Sequence, residues 1–331
     1  ACPWPLELPI AWEASGTAAL RCFHRQDDRF LQPKASMAFR IYCPSAASDT
    51  MGFLRAKFWA NAVMEELSEY SYDASVAGLR YSLSAFPGGL ELSVSGFSDK
   101  LPLLLRAVSR KMREASTIAP GTFSIVRDRY IRTLKNRAFR QRPCDQASRK
   151  ARELRYSLSF PVEEQLAALE SLTLENLEGE NERLLGHCHA EALLMGNLRV
   201  EDARAAADVA VEELHLQSAL QELPWRAEAA LPPGRTLWIL QGTSAEEPNN
   251  CVRCELQVPL SLENSIYVSL LVRILSPRFF EQLRTQQQLG YIVQMSWSEH
   301  EGFLAVVCTV QTEYPPAYVR DRIDAFLDAQ F

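Results

Sequence analysis

The stretch Phe279-Phe-Glu-Gln-Leu-Arg-Thr-Gln-Gln-Gln-Leu-Gly-Tyr-Ile-Val293 holds the junction on which the reading of the fold turns. A helix-like run, Phe280 to Leu289, stops at Gly290, and a β-type run, Tyr291 to Trp297, starts at once. Glycine leaves a helix most cheaply, because it takes up left-handed backbone without a Cβ penalty. Arg284 and Tyr291 stand seven residues apart, which at the helical rise is roughly 10 Å. That spacing lets both project toward one side of the junction, a fixed cation beside a phenol. Such a pair can hold a carbonyl oxygen or a carboxylate. The plainer alternative is an Arg on a solvated helix and a half-buried strand Tyr.

Around this junction the pattern gives strands at Thr236–Leu240 and Cys251–Val258, then a helix capped by Ser261 and running through Ile266, Leu270 and Ile274 until Pro277 interrupts it. After the junction a turn at 298–302 leads to a return strand, Phe303–Val310, and Pro315-Pro316 opens a helix with Val319, Ile323 and Leu327. The same order occurs earlier. Met37–Cys43 alternates as a strand, and a long helix follows to about Tyr72. Ala77-Gly78 breaks it, Leu79–Ala85 and Leu90–Val94 form a hairpin, and Ser98 or Asp99 caps a helix containing Leu105 and Val108. Setting Gly78 over Gly290 aligns the two copies. The first copy is read as carrying Ser71 and Gly78 where the second has its Arg–Tyr pair, so the pair is no requirement of the fold. The pattern continues in the first copy through several helices and one more strand, Ala192–Asn197. The expected architecture is α+β, an antiparallel sheet with helices on one face. The domains are 1–224 and 225–331, one complete and the second about half of a homologous unit, with the boundary near Pro224.

Composition narrows the function. The 331 residues suit two domains. A net charge of −6 gives no reason to expect a nucleic-acid partner. No apolar run approaches the length of a membrane span. The N-terminus, Ala1-Cys-Pro-Trp-Pro, carries neither initiator Met nor signal-like h-region. It looks like a cut inside a longer protein and leaves the compartment, cytoplasmic or secretory, open.

Cys251-x-x-Cys254 lacks the second pair a zinc ribbon needs, and His187-Cys188-His189 is the only other cluster of soft ligands. Isolated buried thiols are the expected state. Between Arg127 and Arg155 basic residues crowd together. They read as a positive wall for an acidic partner or, because they fall all round the helices, as solvated faces.

Several stretches, in order, resemble the C-terminal half of the pitrilysin/insulysin (insulinase) family of inverted-motif zinc metallopeptidases, nearest its insulin-degrading type. They are Gln26-Asp-Asp-Arg-Phe with Pro33-Lys; Leu67-Ser-Glu-Tyr-Ser-Tyr-Asp-Ala with Ala77-Gly-Leu-Arg-Tyr; Ser95-Gly-Phe-Ser-Asp-Lys; Glu191-Ala-Leu-Leu-Met-Gly-Asn; Asn249-Asn-Cys; and Leu283-Arg-Thr-Gln-Gln-Gln-Leu-Gly-Tyr-Ile-Val293. The resemblance implies the α/β roll of LuxS-type metalloenzymes and these peptidases. It also implies four related domains enclosing a peptide chamber, of which this chain resembles the third and the start of the fourth.

By the same resemblance, Arg284 and Tyr291 hydrogen-bond the substrate backbone and help stabilise an oxyanion, and Phe280 lines a side-chain pocket. Zinc and the water-activating Glu belong to an H-x-x-E-H helix in the N-terminal half. None of the five histidines here begins that motif: His187 is followed at +3 and +4 by Ala190 and Glu191, and Ser296 stands four residues before His300. The implied partners are a peptide substrate and a zinc-bearing N-terminal half, or a separate subunit. This chain alone is expected to bind no zinc and to hydrolyse nothing. The alternative is a non-catalytic peptide-binding or subunit-assembly scaffold.

Overall fold

The computed structural model describes residues 10–14, 19–30, 32–68, 74–139, 141–216, 220–244 and 246–330. They fall into two compact units, one made of residues 1–131 and 163–225 and the other of 132–162 and 226–331. Residues 132–162, which the sequence reading placed in the first domain, cluster with the second unit.

Alternation builds the sheet of the first unit. In β3 (Lys34–Tyr42) Met37, Phe39 and Ile41 are buried, while Ser36 and Arg40 are exposed. Period-2 side chains place one set on one face. The same phase recurs in β2 (Leu20–Gln26), β4 (Arg80–Phe86), β5 (Gly89–Phe97) and β6 (His189–Gly196). With β1 (Ile10–Glu13) they form a sheet of order β1-β2-β6-β3-β5-β4, antiparallel except where β2 runs parallel to β6. The strand at 20–26 is not marked in the sequence, because polar His24 stands in the buried phase and apolar Phe23 in the outward one. His24 is nonetheless buried, its Nε2 2.8 Å from the Leu198 carbonyl.

Two helices follow β3. The short α1 (Pro44–Ala47) leads to α2 (Thr50–Glu66), which Asp49 caps by accepting from the Gly52 N–H at 2.6 Å. Trp59 is buried on α2 and donates to the Ala115 carbonyl at 2.8 Å. The expected continuation to Tyr72, and Ser71 with it, lies outside the described residues. Set on Gly78 and Gly290, the positions beneath Arg284 and Tyr291 are Tyr72 and Leu79, one residue on from the pair read from sequence. After the hairpin comes α3 (Leu101–Glu114), whose N-cap is Lys100 with no side-chain cap, so neither Ser98 nor Asp99 serves. Helices α4 (Pro120–Phe139), α5 (Pro143–Arg155), α6 (Val162–Ser171), α7 (Glu180–Leu185) and, after β6, α8 (Val200–Leu214) follow.

The second unit repeats the first half of this order: β7 (Asn250–Pro259), α9 (Leu262–Phe280), the hairpin β8 (Ile292–His300) and β9 (Phe303–Thr312), and α10 (Pro316–Asp328). The sheet order β7-β9-β8 matches β3-β5-β4 strand for strand. Val306, Cys308 and Val310 pack with Val272, Leu275 and Phe279 of α9 and Val319, Ile323 and Phe326 of α10. The Phe279 and Phe326 rings meet edge to face at 5.2 Å, a geometry worth about 1 kcal/mol beyond burial.

Two expectations fail here. Pro277 does not interrupt α9: it and Arg273, whose carbonyl it frees, both lie on the exposed side, where water can take the lost bond. Residues 236–240 form no strand and are exposed.

Candidate functional site

Helix α9 does not end at Phe280. It widens into a π-helical turn, Glu281–Gln286, and the Gln287 N–H then bonds back to the Gln282 carbonyl at 3.0 Å. Leu283 and Leu289, both buried, pin the turn to the core, and the Leu289 N–H reaches the Leu283 carbonyl at 3.0 Å. The left-handed residue that reverses the chain is Gln288, with φ 54°. Gly290 is not left-handed, in contrast to Gly78 at φ 71°. Its requirement is space: a Cβ there would stand 1.9 Å from the Gln311 carbonyl oxygen of β9. The sequence reading named the right glycine for the wrong reason.

The reversal brings the candidate residues closer than a straight helix would. The Arg284 guanidinium carbon lies 4.7 Å from the centre of the Tyr291 ring and 4.8 Å from that of Phe280. The cation is held between two aromatic faces, one a turn before it and the other across the break. Cation–π contacts of this kind contribute about 0.5–1 kcal/mol each at exposed sites. Tyr291 is 82% exposed and Phe280 39%, while Arg284 is half-buried. An aromatic ring so open to solvent contributes little to the core and is free to meet a ligand. All three residues named from sequence therefore stand together. Gln288 and the π-helical turn, which hold them so, were missed, and nothing in a run of three glutamines signals either.

No group of three His, Cys, Asp or Glu able to hold a metal occurs among the described residues, which include every histidine. Cys251 and Cys254 lie three apart on a strand, so they point to opposite faces, and Cys254 packs on the core side. Burial pushes the Cys188 thiol up to about 12, and Cys251 and Cys308 likewise to about 12. Thiols held this far above neutral pH stay protonated and inert. The described residues do not fit a zinc site.

The basic region is largely spent on internal structure. Arg129 pairs with Glu65, Arg142 with Asp145 and Arg149 with Glu153, and Arg127 donates to the Leu169 carbonyl. Arg155 is buried: its Nη1 donates to both Glu255 oxygens at 2.7 and 2.8 Å, and its Nε lies 3.3 Å from Glu228. Glu228 in turn meets His300 Nδ1 at 2.8 Å.

Comparison with known proteins gives a consistent set. Residues 15–168 match the family described as the middle or third domain of peptidase_M16, and residues 270–331 match "PQQ synthase PqqF-like, C-terminal lobe domain 4". The human insulin-degrading enzyme is 32% identical over 97% of this chain and 32% of its own length. The putative zinc protease mug138 of Schizosaccharomyces pombe is 29% identical over 98% of this chain and 35% of its own. The chain thus spans about a third of the length of these relatives. The crystal structure of pitrilysin shares the fold, with a TM-score of 0.83 and 22% identity over 98% of this chain and 34% of that one.

Proposed function

The chain belongs to the peptidase M16, or insulinase, family, and from that premise we propose that it is the substrate-clamping part of a zinc metalloendopeptidase acting on peptides in an enclosed chamber. Its described residues do not fit the metal, and in this reading zinc and the group that activates water come from other residues of a longer protein or from a separate subunit. The observation that carries this reading is the Arg284 guanidinium stacked between half-exposed Phe280 and exposed Tyr291.

The guanidinium carries a planar fork of N–H donors, and the two ring contacts restrict where it can lie. That fork suits a peptide carbonyl oxygen. The Tyr291 hydroxyl donates beside it. When water adds to the scissile carbonyl, negative charge gathers on the oxygen, and donors already in place stabilise it without reorganising. Phe280 offers an apolar face to a neighbouring substrate side chain.

The test is reconstitution. This chain alone leaves an internally quenched peptide intact, and mixing it with the zinc-bearing part encoded with it produces turnover. If the mixture binds the peptide without cleaving it, the chain belongs to a peptide-binding scaffold. Turnover by the zinc-bearing part that is indifferent to this chain contradicts the clamping role.

A further inference from the structure

The sequence scatters its cysteines, yet the sheets set two pairs of them face to face. In the second unit Cys254 of β7 stands directly opposite Cys308 of β9, on the side that packs into the core. Met295 of β8 is the partner of Cys308 on its other edge, so three sulfur side chains form a row across the sheet. In the first unit Cys43 and Cys188 stand one step past the last register pair of β3 and β6, Tyr42 with His189. All four thiols are free.

Register decides whether a pair is within bonding reach. Directly opposed residues of antiparallel strands have Cα atoms about 4.5 or about 5.5 Å apart, and a disulfide spans about 4.4–6.8 Å between Cα atoms. Their Cβ atoms, on one face of the sheet, need draw together by only about 1 Å. Access then separates the two pairs. Cys43 and Cys188 are both buried, and each Sγ donates to a backbone carbonyl, Cys43 to Ile41 and Cys188 to Leu185. A dissolved oxidant meets neither. Cys254 is partly exposed, while Cys308 beside it is only 1% exposed. That pair has an outer thiol to take up an oxidant and an inner one to complete the bond.

We propose that Cys254 and Cys308 form a cross-strand disulfide when the protein meets a low-molecular-weight disulfide such as that of glutathione. The Cys254 thiolate attacks one sulfur of the oxidant and releases one glutathione thiolate. The Cys308 thiolate then attacks the Cys254 sulfur and releases the second. Two thiol protons pass to the two glutathiones, and two electrons reduce one oxidant disulfide. Burial pushes the Cys308 thiol up to about 12, so as a lone thiol it is inert. Beside a mixed disulfide its attack is intramolecular, and the high effective concentration of a preset neighbour offsets its small thiolate fraction. The bond closes a loop that contains α9, the π-helical turn and β8, and with them Phe280, Arg284 and Tyr291. It restrains the unfolded chain of the unit that carries those residues. The proposal rests on the register of the sheet, not on the peptidase reading.

Peptide mapping tests it. The purified protein is incubated with glutathione disulfide at mildly alkaline pH, its remaining thiols are alkylated, and it is digested without reductant for mass spectrometry. A disulfide oxidant is used because peroxide would also oxidise Met295. The expected product is a linked pair of peptides holding Cys254 and Cys308, two hydrogens lighter than the two thiol peptides together, which separates on reduction. The oxidised protein unfolds in urea at a midpoint higher by about 1 M, and Cys254→Ala removes both the link and the shift. Recovery of Cys254 and Cys308 as thiols or as separate glutathione adducts overturns the proposal. So does a link placed elsewhere, from either of them to Cys144 or Cys251, or between Cys43 and Cys188 alone. A link that leaves the midpoint unchanged or lowers it also overturns the proposal, because the bond then belongs to unfolded chain and not to the sheet.

Discussion

In the proposed function Tyr291 and Arg284 have different tasks, and substitution separates them. The exposed Tyr291 hydroxyl has no structural partner to lose, so Tyr291→Phe changes stability by no more than about 0.5 kcal/mol. Arg284→Lys keeps the charge but loses the planar group that stacks between Phe280 and Tyr291. It raises KM and lowers kcat in the assembled enzyme, measured on one peptide across a concentration series. A KM and kcat equal to wild type would show that the stacking does not orient the fork. The hinge behaves differently. Gly290→Ala drives a methyl into the Gln311 carbonyl and destabilises the second unit by about 3 kcal/mol. Gln288→Gly relieves a left-handed side-chain residue and stabilises it by about 1 kcal/mol. Urea unfolding followed at Trp297 reads both. The pair was legible in the sequence because a glycine and a change of period marked a junction. Its contact was not, because the π-helical turn and a left-handed Gln leave no mark in composition.

Elements with strong alternation or a clear cap were readable; those defined by a distant partner were not. The hairpins, the Ser261 cap, with its oxygen accepting from the Asn264 N–H at 3.0 Å, and α10 follow from local pattern. The strand expected at 236–240 fails because a strand needs a neighbour, which local sequence cannot supply. The basic run in α5 illustrates the same limit. Its Arg155 is buried against Glu255 and Glu228, strand and loop residues a long way off in sequence. Burial pushes the Glu255 carboxyl up, but hydrogen bonds from Gln257 and Arg155 and the charges of Arg155 and Arg253 outweigh it and hold it below the ordinary carboxylate range. A lowered carboxyl stabilises the fold above its ordinary value, and that stability is lost as pH falls through the lowered one. Stability of the second unit therefore drops in acid, below about pH 4. Arg155→Met takes the buried guanidinium from two nearly buried carboxylates, leaving Glu255 only Arg253 and Gln257 and Glu228 only His300, and costs about 3 kcal/mol near neutral pH. The gap from wild type narrows as pH falls, because the carboxylates are then protonated. Thermal unfolding at pH 7 and pH 3 checks this, and a constant gap would show that the pairing contributes nothing.

At the scale of the molecule, the repeat was the most legible feature. Two sheets of matching order follow from two runs of strand, long helix, hairpin and helix. The allocation of residues 132–162 to the second unit was not legible, since helical periodicity marks a buried side without saying which core it meets. Helix α9 has one face in the core of its own unit and passes at its end into the π-helical turn that carries the candidate site. Buried Leu283 and Leu289 anchor the turn beside the exposed Tyr291 and the arginine against its ring, the pair proposed to meet substrate. The central claim, that these two residues stabilise the oxyanion of a peptide under attack, is tested most directly by kcat of Tyr291→Phe in the assembled enzyme under saturating peptide. Loss of one oxyanion donor lowers kcat by about one to three powers of ten, with KM and stability close to wild type. An unchanged kcat would contradict the role assigned to Tyr291 and leave the pair as a surface stack.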